Sequence, residues 1–380
     1  MSKTFNFVPG PTPIPDRINR RMAEPVLSHR SAEFSRLLER VSDNLRYLFQ
    51  TQNDVLVLTA SGTGAMEAAI VNLMSSGDRV VAIRAGKFGG RWVELCRTFG
   101  IDVIPVDVPW GEAVDPRQVE TVLNASGSVT ALLATHSETS TGVLHDIETL
   151  GKIAREHGCL FVVDSISGMG ANELRPDDWN VDVVVAGSQK GLMLPPGLAF
   201  ISMSTRAWEQ TGKASIPSYY FSLKRAKDAL LKGYTPYTPA VTLLSGLDEA
   251  LAEVREIGLE AVYAHHARLA QATRAGIAAL GLSLFARTPS NVLTSVALPS
   301  ELNGNALLKI IKSECGVTIA NGMDDYRGKV IRIAHLGYAV SPFDMLAAIS
   351  ALEYGLDKMG VMFDFGAGVA AVHRGLMQKR

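Results

Sequence analysis

The sequence predicts an α/β protein: a large domain built on a mostly parallel sheet covered by helices, then a smaller carboxy-terminal α+β domain. From about residue 54, short apolar runs alternate with helical stretches. Strands that are apolar on both faces must be covered on both faces. After about residue 240 the pattern changes to two long helices rich in Ala, Leu, Glu and Arg, followed by shorter strands. At about 150 residues per domain, 380 residues allow two to three domains.

The elements follow in order. The first residues, through about Ile14, carry too many prolines to pair in a sheet centre and read as an arm over a surface, giving an arm at 1–15. A large domain is expected over 16–257 and a small one over 258–380. Asp54–Ala60 reads as a buried strand, and Thr63–Met74 as a helix stopped by Ser75-Ser-Gly-Asp78. Arg79–Arg84 is a strand, Phe88–Phe99 a helix ending at Gly100, and Ile101–Val106 a strand. Asp115-Pro116 is an N-cap followed by proline at the first helical position, opening a helix to about Asn124. Val129–Ala134 is a strand and Asp146–His157 a helix stopped by Gly158. Cys159–Asp164 and Val181–Val185 are strands. Leu243–Ile257 and Val262–Leu280 are the long helices, and Thr294–Leu298 and Lys329–Ala334 are strands of the small domain.

Composition removes several classes of function. Hydrophobic residues at 47% and charged residues at 20% exclude wholesale disorder. Lys+Arg of 37 against Asp+Glu of 38 gives no electrostatic footprint for nucleic acid or an anionic membrane. Cys96, Cys159 and Cys315 lie far apart with no CxxC pair, against a disulfide framework or a metal site and in keeping with a reducing compartment. No apolar run is long enough for a membrane helix. The proline-interrupted start does not read as a signal peptide, and Met377-Gln-Lys-Arg380 is not a peroxisomal signal. A cytoplasmic protein is expected.

Three short stretches carry chemistry. Ser61-Gly-Thr-Gly64 lies between a strand and a helix, where free backbone N–H groups favour a phosphate. It reads equally as a tight turn. It lacks the third glycine of a dinucleotide fingerprint, and the next strand ends in Arg84 rather than an acidic ribose ligand, which disfavours a nicotinamide dehydrogenase. Asp164 closes the apolar strand Leu160-Phe-Val-Val163, where a carboxylate is costly without a cationic partner; a helix cap is the alternative. Lys190 follows Gly187-Ser-Gln189 and precedes Leu192-Met-Leu-Pro-Pro-Gly197. A poorly solvated lysine can form a Schiff base, whereas most loop lysines are solvated. A phosphate cradle, an amine and a carboxylate together suit pyridoxal phosphate, which also wants an aromatic against its ring. Phe88, in Ala85-Gly-Lys-Phe-Gly-Gly90, supplies one and reads otherwise as a core aromatic.

These stretches resemble a fold-type I, class V aminotransferase of the serine–glyoxylate and alanine–glyoxylate group. The resemblance rests on Ser61-Gly-Thr-Gly-Ala65, His136-Ser-Glu-Thr-Ser-Thr-Gly142, Val163-Asp-Ser-Ile-Ser167, Ala186-Gly-Ser-Gln-Lys-Gly-Leu-Met-Leu-Pro-Pro-Gly197 and Tyr237-Thr-Pro239, spread over nearly the whole chain. It implies that Lys190 holds the cofactor and shuttles the proton, and that Asp164 pairs with the pyridine nitrogen. Thr63, Gly64 and Gln189 would bind phosphate, with Thr238 from a neighbouring subunit of a homodimer. Thr139 would contact the ring side, Phe88 would stack where relatives often have tryptophan or histidine, Arg332 would clamp the substrate carboxylate, and Gly10 would line the substrate site. It implies amino transfer from serine or alanine to a 2-oxo acid such as glyoxylate or pyruvate, and no metal.

Ser28-His-Arg-Ser31 is similar to a stretch that binds substrate phosphate across the dimer in phosphoserine aminotransferases. His29 and Arg30 would then read a second polar group, favouring 2-aminoethylphosphonate–pyruvate or phosphoserine-type transfer; the alternative is a surface turn before the helix at Glu33. A cysteine desulfurase-like lyase is less favoured, because Asn321–Asp325 holds no cysteine and Gln189 stands where desulfurases usually have histidine. A silent accessory subunit on the same scaffold is disfavoured by the presence of both Lys190 and Asp164.

Overall fold

The computed structural model of the chain describes residues 4–377. Its larger sheet has seven strands in the order Val55–Ala60, Gly197–Met203, Val183–Gly187, Leu160–Asp164, Ala131–Thr135, Arg79–Arg84 and Asp102–Asp107. All run in one direction except Gly197–Met203, which pairs antiparallel with both neighbours. The sequence reading did not include that strand. Its direction follows from its connection: the short loop after Gly187 cannot make the long crossover that a parallel partner needs.

Alternation within the strands explains their continuous apolarity. Val81, Ile83, Leu132, Ala134, Phe161 and Val163 enter one core, and Val80, Ala82, Ala131, Leu133, Leu160 and Val162 the other. Gly62–Leu73 and Lys87–Thr98 cover the second face through Met66, Ile70 and Trp92. Ala32–Phe49, Ile147–Glu156 and Val241–Ile257 cover the first. The expected cap at Asp115 is present: its side chain accepts the Arg117 N–H, and Pro116 opens the helix Pro116–Ala125.

The second sheet has five strands in the order Phe5–Phe7, Val317–Asn321, Val330–Ala334, Leu293–Ala297 and Ser283–Leu284. Phe5–Phe7 corrects the reading of the amino-terminal residues as only an overlying arm. It pairs parallel with Val317–Asn321 as an edge strand, which keeps prolines out of the sheet centre. The first three residues of the expected arm, and Gln378-Lys-Arg380, lie outside the described residues. The helix Leu259–Ala279 spans both cores, with Leu259 and Val262 against the larger sheet and Leu269 and Ile277 against the smaller. Among the described residues, no helix is long and apolar enough to cross a membrane.

The last helix, Ala367–Met377, is held by a buried acid. Glu353, on Pro342–Lys358, accepts the Gly366 and Val369 N–H groups at 3.0 and 3.1 Å. Those donors have no partner within their own helix. Glu353→Ala is expected to cost about 1–3 kcal/mol in urea unfolding and to make the segment after Asp364 the first site of limited proteolysis. Unchanged stability and cleavage would contradict this role.

Candidate active site

Strands of one direction end on one edge of the larger sheet, and each hands a loop to the same pocket. Ser61, Gly62 and Thr63 follow one strand, Phe88 and Arg91 another, and Ser137, Asp164, Ile166, Ser167, Gln189 and Lys190 complete the lining. Thr63, Phe88, Asp164, Gln189 and Lys190 are therefore brought together as expected.

Asp164 is 3% exposed and accepts the Ile166 N–H through Oδ1 at 2.8 Å. Burial pushes its carboxyl up to about 7, with Glu138 adding to the rise and the Ile166 N–H, Arg91 and Lys190 opposing it. Lys190 lies in the loop between two antiparallel strands and donates from Nζ to the Pro9 carbonyl. Burial lowers its amine to about 8; Arg332 and Arg91 lower it further, while Asp164 and Glu138 oppose. The amino-terminal arm is tied to this loop, since Thr12 donates from N to the Gln189 carbonyl and from Oγ1 to the Lys190 carbonyl. Gly10, at φ +119°, faces the lysine. A Cβ there would lie 2.8 Å from Nζ, so only glycine leaves the amine its place.

The helix Gly62–Leu73 begins with Ser61, whose side chain makes no capping bond. Arg91 donates from Nη1 to Thr63 Oγ1 at 3.0 Å and stands 5.1 Å over the Phe88 ring. Sequence reasoning missed Arg91, although its place three residues after Phe88 puts both on one helix face. Gln189 Oε1 is buried without a partner.

Arg332 is 8% exposed on Val330–Ala334 and donates from Nε to the Asn321 carbonyl and from Nη1 to the Thr139 carbonyl, each at 2.8 Å. Burial lowers it to about 10. Thr139, expected beside the cofactor ring, is buried, does not line the pocket, and accepts from Arg332 through its carbonyl. Thr139 lies in a tight bend closed by the Gly142 N–H to the Glu138 carbonyl at 2.8 Å. Gly64 is the third residue of the helix, off the lining, and its N–H is taken by the Ser61 carbonyl at 2.8 Å.

Two calls lie elsewhere within one chain. Thr238 is exposed, in the segment with Tyr237, and does not reach the Lys190 pocket of its own chain. His29 and Arg30 also lie off the pocket lining, with Arg30 5.5 Å over the Tyr234 ring. That places the Ser28–Arg30 turn beside the segment carrying Thr238. Cys315 ends the helix Gly304–Cys315, and burial raises its thiol. Among the described residues, no three His, Cys, Asp or Glu side chains gather as a metal site would require.

Comparison with known proteins places this geometry. The family model Aminotransferase class-V matches residues 5–325. A protein of Synechococcus sp. (strain PCC 6716) named the small subunit of a soluble hydrogenase is 42% identical, over 98% of this chain and 98% of its own. The serine–glyoxylate aminotransferase of Methylorubrum extorquens is 37% identical, over 96% of this chain and 94% of its own. The crystal structure of ureidoglycine–glyoxylate aminotransferase from Bacillus subtilis superposes with a TM-score of 0.95 at 27% identity, covering 100% of this chain and 99% of that one. With its mostly parallel seven-stranded sheet, the chain has the fold-type I architecture and belongs to the class-V aminotransferase family.

Proposed function

We propose that the chain is a pyridoxal phosphate-dependent transaminase that moves an amino group from serine or alanine to glyoxylate or pyruvate. The observation that carries this reading is Lys190 beside Asp164, in a pocket bounded by an uncapped helix start. Relatives named for glyoxylate transfer support the acceptor.

The residues fit the cofactor. The free N–H groups of Gly62 and Thr63, the Thr63 hydroxyl and Arg91 form a cradle for phosphate. The orphaned Gln189 amide oxygen marks a polar group with no partner inside the protein. When bound, pyridoxal phosphate supplies an aldehyde carbon for the amino group and a ring that takes up electron density. Asp164 would then pair with a protonated ring nitrogen, and Phe88 would pack against the ring. The Lys190 amine would take the substrate α-proton and hand it on within the same half-reaction, with the reverse transfer serving the acceptor. Arg332 would take the substrate carboxylate with the N–H groups left free by its two carbonyl bonds. Pro9 and Gly10 narrow access to the amine. We further propose a homodimer in which Thr238 serves the neighbouring subunit's phosphate, with His29 and Arg30 close to it. The division into a large part and a smaller one from near residue 258 is part of the same reading.

A second reading is an accessory subunit, favoured by the printed name of the 42% identical relative. The visible spectrum separates the two. Incubation with pyridoxal phosphate is expected to give an absorption band that bleaches with L-serine and returns with glyoxylate. A band indifferent to serine sends the search to alanine or phosphorylated donors. No band at all overturns the transaminase reading and favours the accessory one.

Two further outcomes are expected. Lys190 should react with an amine-directed acylating reagent with a pH midpoint near 8, since lowering the amine's proton affinity frees its nitrogen at lower pH. Peptide mass mapping follows it, and a midpoint above 10 would contradict the buried setting. Lys190→Ala should abolish turnover, whereas Asp164→Ala should keep covalent cofactor binding and lose on the order of 10²–10⁴-fold in proton abstraction.

A further inference from the structure

Glu138 is 1% exposed, and its four hydrogen bonds all come from neutral donors. Oε2 accepts the N–H groups of Phe88 and Gly89 at 3.0 and 2.9 Å. Oε1 accepts the N–H and hydroxyl of Ser140 at 3.1 and 2.6 Å. The Ser140 hydroxyl accepts the Lys87 N–H at 3.0 Å. The first three N–H groups of Lys87–Thr98 are therefore satisfied from another segment. The helix needs this, because its N-cap is Gly86, which has no side chain to offer. Gly86 in turn must be glycine: a Cβ would lie 2.5 Å from both Glu138 Cδ and Ser140 Oγ.

We propose that Glu138 is a positioning residue of the active site, holding Phe88 and Arg91 at the pocket by capping their helix from outside and fixing the adjoining Thr139 carbonyl that Arg332 takes. The role assigned to the pocket rests on the reading under Proposed function; the capping does not. A carboxylate suits this place because every neighbour donates. Glutamine would turn an NH2 group toward donors on one side or the other. The negative charge also lies at the positive end of a helix. It acts on Lys190 together with Asp164, Arg91 and Arg332, the charged groups around that amine.

The test compares the wild type, Glu138→Gln, the milder Ser140→Ala and Glu353→Gln, a buried helix-capping acid remote from the pocket. Amide hydrogen exchange is read first, with no cofactor added. Exchange at Phe88 and Gly89 should rise tenfold or more in Glu138→Gln and less in Ser140→Ala. Circular dichroism and the pH midpoint of the visible band are then read after loading with pyridoxal phosphate. Glu138→Gln should lose several-fold of the visible dichroism per bound cofactor and show a lower midpoint, because a negative charge that favours the protonated form of the cofactor-linked Lys190 nitrogen is gone. Glu353→Gln should move neither, even with equal loss of thermal stability. Unchanged exchange overturns the cap. Altered exchange with wild-type dichroism and midpoint overturns the positioning role and leaves a structural cap. A wild type that takes up no cofactor refutes the proposed function, with the exchange result still deciding the cap.

Discussion

Strand direction is the constraint on which the site depends. Six of the seven strands of the larger sheet point the same way, so their carboxyl ends collect on one edge and their loops converge. In open sheets of this kind that edge is where ligands bind. The exception, Gly197–Met203, adds to the arrangement. By running back beside Val183–Gly187 it turns the connection between them into a loop at the same edge, and Lys190 rides on that loop.

The second controlling influence is burial of charge. Asp164, Lys190 and Arg332 all sit where water is scarce, and each is pushed toward its neutral form. None escapes through a close ion pair. The pocket instead spreads its balance over several groups, with one backbone donor on Asp164, carbonyls on Arg332 and neutral donors on Glu138. A site held this way can accept the charge of a ligand without first breaking a strong internal pair.

Local signals were legible in the sequence, and long-range partnerships were not. The Lys190 loop, the strand ending in Asp164 and the turn at Thr63 could be read because each is decided by a few adjacent residues. Element boundaries in the larger sheet came within a few residues for the same reason. Arg91 was missed because its value lies in reaching Thr63 across a helix pair. Glu138 stood inside a quoted motif yet gained no role there, since the helix it caps is 49 residues away at Gly89. Thr139 was expected beside the cofactor ring; its carbonyl also meets Arg332, a backbone contact that residue type alone does not reveal. Phe5–Phe7 is too short to announce itself without its partner strand.

That strand has a consequence for how the protein is made. Phe5–Phe7 is synthesised long before Val317–Asn321, the strand it pairs with. The arm between that strand and the pocket supplies the Pro9 carbonyl to Lys190 and fastens Thr12 to the lysine loop. While the chain grows, the larger sheet can assemble around a lysine whose cover is not yet anchored at its far end. Closing so distant a contact is slow. The arm is held at both ends only once Val317–Asn321 is in place, so the cover over the amine depends on a contact far along the chain.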